Sequence, residues 1–181
     1  LVSDDSSDLA WKAFAEAIDA RQRGDLDAAV RLGVFANEKM YEISGTWDDL
    51  CHMWPTAVET ALENGDNAAV ETLISLIESE SGRPDADGVR IHRKRVAGLL
   101  AIRDGEPAEV VESTLREAIA EFETWGAMPY TARTQVDLGT WLVAQGRPDE
   151  AAPLFDAARA AFAELGASAW SEALEEQLAT R

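Results

Sequence analysis

A single cysteine, Cys51, is the only thiol in this 181-residue chain. No internal disulfide can staple the fold, and a lone thiol fits a reducing, cytoplasmic compartment. No run comes near the ~20 apolar residues that a membrane-spanning helix requires. Positive charge is scarce: 16 Lys and Arg stand against 34 Asp and Glu, giving a formal net charge of −18. Such a surface repels phosphate backbones and lipid headgroups, which argues against direct nucleic-acid or membrane binding and leaves room for a basic partner. Alternation of period two is almost absent, so no sheet is expected. The chain begins at Leu1 and not at Met, which points to a piece of a longer polypeptide, with any upstream targeting signal out of view.

What the chain does have is a repeat. Phe122-Glu-Thr-Trp125-Gly126-Ala127-Met128-Pro129-Tyr130 is answered forty residues later by Phe162-Ala-Glu-Leu165-Gly166-Ala167-Ser168-Ala169-Trp170. The same offset pairs Leu115 with Phe155 and Ala118 with Ala158. Turns recur at Gly24, Gly65, Gly105 and Gly146, spaced 41, 40 and 41 residues apart. A fixed period in this range is the mark of stacked helical hairpins. With 46% hydrophobic residues there is enough apolar surface for one continuous core.

Helical spacing gives four hairpins, about 8–45, 47–82, 85–126 and 129–166, then a cap at 168–180; residues 1–7 read as a polar linker. The first helix carries Ala10, Phe14, Ala17 and Ile18, and its partner Leu26, Ala29, Val30, Gly33 and Met40, with Gly45 as its stop. Leu50, Trp54, Ala57, Ala61 and Leu62 face Val70, Leu73, Ile74 and Ile77, and Pro55 should kink that helix or delay its start. The stretch 79–88, with Gly82, Pro84 and Gly88, is the clearest irregular connection. Val96, Leu99 and Leu100 then pack on Val111, Leu115, Ala118 and Phe122, with Pro107 at a tolerated first-turn position. Tyr130, Thr134, Leu138, Trp141 and Leu142 face Ala151, Leu154, Phe155, Ala158 and Phe162. Ser168 reads as the N-cap of a last helix whose Glu172, Glu175 and Glu176 are exposed. The recurrent alanines (28/29, 68/69, 118, 151, 158) suit close helix crossings. The expectation is an all-α, right-handed, tetratricopeptide-like solenoid of four hairpins plus a capping helix, one domain over 8–181.

Catalytic patterns are missing. There is no Gly-x-x-x-x-Gly-Lys-Ser/Thr phosphate loop, and the glycines are too far apart to cradle a pyrophosphate. Cys51 and His52 are neighbours, about 100° apart on a helix, with no further His a turn away to complete a metal site. Cys51 therefore reads as buried and structural. Acid pairs such as Asp48/Asp49, Glu121/Glu123 and Glu175/Glu176 read as solvated helix faces, and Gly24-Asp25-Leu26-Asp27 lacks the other ligands of a calcium loop. No cofactor or metal is expected, nor is enzymatic activity. Of the six tryptophans, Trp11, Trp54, Trp125 and Trp141 read as core or inter-repeat packing, and Trp47 and Trp170 as staples near helix starts; any of them could line a groove instead.

One stretch departs from the acidic background. Arg83, Arg90, Arg93, Lys94, Arg95 and Arg103 face only Asp85 and Asp87, a local net of +4 in a chain of −18. Such an island could hold an acidic peptide, a phosphorylated ligand or a partner domain. The favoured reading is intramolecular, the cations offsetting acidic neighbours such as Glu59, Glu63, Glu121 and Asp137. Arg90, Arg93, Lys94, Arg95 and Arg103, with Tyr130 and Trp141, are the candidate groove residues.

The phrases Leu142-Val-Ala-Gln-Gly146-Arg-Pro-Asp-Glu-Ala-Ala152-Pro-Leu-Phe155, Ala161-Phe162-Ala-Glu-Leu165-Gly166-Ala167 and Pro55-Thr-Ala-Val-Glu-Thr-Ala-Leu-Glu-Asn-Gly65-Asp66 carry a resemblance. Over roughly 47–178 the chain resembles the C-terminal helical repeats of large bacterial signalling ATPases, among them class III adenylate cyclases fused to an ATPase and LuxR-type transcription regulators. The resemblance implies a non-catalytic region that senses a ligand or partner and restrains an ATPase elsewhere in the protein; it carries over no functional residue. The functional expectation is a protein-interaction or sensory module of a larger cytoplasmic regulator. A small-molecule effector sensor and a plain dimerisation scaffold are the alternatives.

Overall fold

The computed structural model describes residues 6–42, 47–78 and 87–179. Among them every regular element is a helix: α1 (Ser6–Gln22), α2 (Leu26–Glu42), α3 (Trp47–Asn64), α4 (Asn67–Glu78), α5 (Asp87–Asp104), α6 (Ala108–Trp125), α7 (Met128–Ala144), α8 (Pro148–Glu164) and α9 (Ser168–Ala179). This is the all-α helical-repeat fold that the period implies. Residues 8–181, expected as one domain, cluster in two compact units, Leu1–Val96 and Ala97–Arg181, with the boundary inside α5. Gly45, Gly82, Arg83, Pro84, Asp85 and the side chain of Trp47 lie outside the described residues. Ser6 and Ser7 of the expected linker belong to α1, and Ser168 is the first residue of α9 and not its cap.

The repeat is legible in the turns. Gly24, Gly65, Gly105, Gly126, Gly146 and Gly166 all have φ between 63° and 77°, the left-handed region in which a side chain costs about 1–2 kcal/mol. Each closes the preceding helix with the same two bonds. Gly146 N–H donates to the Val143 carbonyl at 2.9 Å, and Arg147 N–H to the Leu142 carbonyl at 2.9 Å. This paired closure satisfies carbonyls the helix end would leave open, then turns the chain into the next helix. The first two hairpins re-enter through aspartate caps. Asp25 Oδ1 accepts Ala28 N–H at 3.1 Å, and Asp66 Oδ1 accepts Ala69 N–H at 3.0 Å. The later two use proline instead, Pro107 just before α6 and Pro148 as the first residue of α8, where no N–H is needed.

In the first unit α1 packs on α2, α2 on α3 and α4, and α3 on α4. The buried face of α1 is Ala10, Ala13, Ala17 and Ala20. The expected stripe through Phe14 and Ile18 is therefore rotated. Small side chains allow α1 to approach α2 closely, and the larger residues are displaced to the edge, Phe14 half-buried and Ile18 39% exposed. Trp54 is buried and donates its indole N–H to the Leu73 carbonyl at 2.7 Å, tying α3 to α4. Pro55 does not delay the start of α3, which runs unbroken from Trp47 to Asn64. Cys51 is a buried thiol, as expected.

In the second unit α6 packs on α7, α7 on α8, and α8 on α9. Its tightest approaches are at glycine. A Cβ on Gly98 would lie 2.5 Å from Leu115 Cδ2, and one on Gly139 would lie 2.7 Å from Phe155 Cε1. These pairs are one repeat apart, as are the ring pairs Phe122–Tyr130 and Phe162–Trp170, both with centroids 5.6 Å apart. Trp170 thus acts as the staple foreseen for it, with Arg133 over its ring at 5.3 Å. Trp54 and Trp141 are core residues, whereas Trp11 and Trp125 are 40% and 45% exposed, against expectation. Both lie outside the buried faces of their helices, which are alanine on α1 and Val111, Leu115, Ala118, Ile119 and Phe122 on α6. Leu174 is the one fully buried residue of α9, and Glu172, Glu175 and Glu176 face water, as suits a closing helix. The first hairpin shows the same device. Met53, Ala57 and Thr60 of α3 are buried, while their counterparts 41 residues earlier, Lys12, Glu16 and Asp19, are exposed.

Candidate functional site

A concavity lies between α1 and α3. Phe14, Ala17, Ile18 and Arg21 form one wall, Thr56, Ala57 and Thr60 the other, and Ala29 and Gly33 of α2 the floor. The floor is close because Gly33 has no side chain: a Cβ there would approach Ala57 Cβ to 3.2 Å. The α1 wall extends outward through Trp11, whose ring meets Phe14 edge-on at 6.0 Å. Trp11, Phe14 and Ile18 stand at i, i+3 and i+7, one stripe along about two helical turns. Opposite them the threonine hydroxyls are turned inward on their own helix. Thr56 Oγ1 donates to the His52 carbonyl at 2.9 Å and Thr60 Oγ1 to the Thr56 carbonyl at 2.7 Å. That leaves their methyl groups and oxygen lone pairs for the groove.

One end of the groove is ionic. Arg21 Nε donates to Glu63 Oε2 at 2.9 Å and a second guanidinium nitrogen lies 3.9 Å from Glu59 Oε2. The other carboxylate oxygen of Glu59 accepts from Arg95 Nη1 of α5. Glu59 and Arg95 side chains are 8% and 2% exposed. A charge so deprived of water is tolerable only when paired, so α1, α3 and α5 are linked by a ladder of alternating sign.

The residues singled out in the sequence divide between the two units. Arg90 is exposed, Arg93 and Lys94 are half-buried, and Arg95 is committed to Glu59, all in the first unit. Arg103, Tyr130 and Trp141 belong to the second. There Arg103 bonds its neighbour Asp104 at 2.7 and 3.0 Å, holding that carboxyl below the usual carboxylate range. Tyr130 is half-buried against Phe122, and Trp141 is 7% exposed in the core around Leu138 and Phe155. Of the groove residues, Phe14 and Ile18 read from the sequence as the apolar face of the first helix, and Thr56 and Thr60 carry no signal there. A signal existed for Glu59, a lone acid inside Ala57–Ala61, where every neighbour proves buried.

The second unit carries a separate ionic cluster on α6 and α8. Glu112 accepts from Arg147 at 2.7 Å and from Arg116 at 2.8 Å. These bonds, Arg147 first, hold the Glu112 carboxyl below its ordinary range. Arg147 also bonds Glu150 at 2.6 Å, and its own pKa is raised. The cluster ties the α8 start to α6.

Among the described residues no three His, Cys, Asp or Glu converge as a metal site, and no helix is long and apolar enough to cross a membrane. No family model matches the chain, and no curated protein or solved structure is significantly similar to it.

Proposed function

We propose that the chain is a non-enzymatic protein-interaction module, a sensory or regulatory segment of a larger bacterial signalling or transcription-regulating protein. One observation carries the interaction reading: the α1–α3 groove pairs an exposed aromatic and aliphatic wall with a rigid ionic end. A solvated apolar stripe beside fixed charges is the composition of protein recognition surfaces, where buried aromatic anchors supply affinity and charges set register. The resemblance to the repeats of signalling ATPases supports the regulatory part of the reading. The basic residues Arg90, Arg93 and Lys94 offer a second polar surface on α5, to which an acidic peptide would be drawn.

The test is selection of peptides on the immobilised, folded chain, followed by calorimetry of the enriched sequences. Enriched peptides that bind in a 1:1 ratio, and that lose binding with Ile18→Asp or with Arg90→Ala/Arg93→Ala/Lys94→Ala, support the reading and locate the surface. A parallel thermal-shift screen with nucleotides, sugar phosphates and other metabolites addresses the effector-sensor alternative, since a ligand of the native state raises Tm. Metabolite hits with no enriched peptide would replace the interaction reading.

A further inference from the structure

Building on the interaction reading, we infer that the occupant of the α1–α3 groove is a basic amphipathic α-helix. Three observations converge. The apolar wall is a stripe at i, i+3 and i+7 (Trp11, Phe14, Ile18), which is the ridge spacing that another helix meets with its own stripe, i.e. the helix-in-groove mode. These large side chains are partly solvated, Trp11 at 40% and Ile18 at 39%, although smaller alanines on the same helix fill the core. The wall's hydroxyl donors are already engaged within α3, because Thr56 and Thr60 donate to backbone carbonyls of their own helix. An extended strand would find no open backbone edge to pair with here, whereas a helix brings its backbone bonds with it.

Charge sets the sign of the partner. The chain carries −18 overall, and the one cation among the described residues that line the groove, Arg21, is already bound to Glu59 and Glu63. An acidic helix would meet a repelling field with no open cation in the groove to receive it. A Lys- or Arg-bearing helix is steered in by the field and lays its apolar face on Trp11, Phe14 and Ile18.

The experiment uses a fluorescein-labelled peptide of about 18 residues, five helical turns, with Leu at i, i+3, i+4 and i+7 and Lys elsewhere. Its charge-reversed counterpart carries Glu in place of each Lys. Anisotropy is read against the whole chain and three variants, Ile18→Asp, Trp11→Ala and Val110→Asp. Val110 is exposed on α6 in the second unit and serves as the control. The Lys peptide should bind 1:1, more weakly as salt rises, and the Glu peptide should not. Ile18→Asp should weaken binding at least about tenfold, Trp11→Ala severalfold, and Val110→Asp not at all. Equal binding to all variants would mean attraction by net charge alone and would overturn the inference, as would a preference for the Glu peptide. Sedimentation showing that Ile18→Asp dissolves a dimer would assign the face to a second copy instead. If Ile18→Asp loses its helical circular dichroism, Trp11→Ala and its truncation of an exposed ring decide the matter. Selected peptides that bind elsewhere and ignore Ile18→Asp would leave the interaction reading standing and remove only this one.

Discussion

Replacing Glu59 by leucine removes the middle of the α1–α3–α5 charge ladder. The carboxylate is 8% exposed and holds Arg95, itself 2% exposed, on one oxygen and Arg21, 32% exposed, on the other side. Taking one partner from a buried pair typically costs about 3–5 kcal/mol, because the remaining charge keeps its desolvation penalty without its counter-charge. Glu59→Leu should therefore destabilise the first unit by about 3–4 kcal/mol. Arg95→Met should cost less, about 2–3 kcal/mol, because Arg21 still lies beside the carboxylate and is wet enough to screen it. The double variant, with two apolar side chains in the ladder's place, should return to within about 1 kcal/mol of the starting protein. Urea unfolding followed by circular dichroism reads these differences. Repeating it at ~0.5 M salt separates a desolvated pair from a surface one, since only the surface pair is screened. A Glu59→Leu loss below about 1 kcal/mol, or a double variant as unstable as the two single losses added together, would refute the buried-pair reasoning.

Gly98→Ala should destabilise by about 1–2 kcal/mol even though alanine is the better helix former, since its Cβ would intrude on Leu115 and overpacking outweighs propensity; differential scanning calorimetry checks it, and a rise in Tm would contradict the close crossing. For Glu112 the sign follows from its lowered pKa: its stabilising bonds to Arg147 and Arg116 are complete above the ordinary glutamate range and vanish as pH falls through the depressed value. Glu112→Gln should thus cost up to about 1 kcal/mol near pH 7 and less near pH 2, measured by urea titrations at both pH values; an undiminished difference in acid would oppose it.

The turns were legible because backbone geometry allows them no substitute. A left-handed residue after each helix admits little but glycine, so Gly24, Gly65, Gly105 and Gly146 survive as a visible period while the residues around them drift. The buried faces were read well where large residues fill them, as with Leu115 and Phe122, and poorly on α1. There alanine forms the core face, and hydrophobicity alone pointed instead at Phe14 and Ile18. The same bias sent Trp11 and Trp125 to the interior. Arg95 was read as part of a basic island, and its burial against Glu59 comes from helices 36 residues apart, which no local pattern encodes.

The positions that differ between repeats are where recognition can reside. Thirteen residues before the turn glycine stand Trp11, His52, His92 and Arg133; six before it stand Ile18, Glu59, Leu99 and Thr140. The glycine is fixed by the backbone and these positions are not, so the first hairpin exposes Trp11 and Ile18 where the next two bury Glu59 and His92. That separation is itself testable. Giving α1 the residues that α3 carries, Trp11→His with Ile18→Glu, exchanges two side chains that are 40% and 39% exposed. Surface changes of this kind usually stay within about 0.5 kcal/mol, so the helix content and urea midpoint should hold. Binding of the Lys-bearing helix should nevertheless fall at least about tenfold, because the apolar ridge that receives it is gone. A loss of more than about 2 kcal/mol in stability would mean that Trp11 and Ile18 hold the hairpin together, and the groove would have to be reassigned as an imperfectly covered edge of the core.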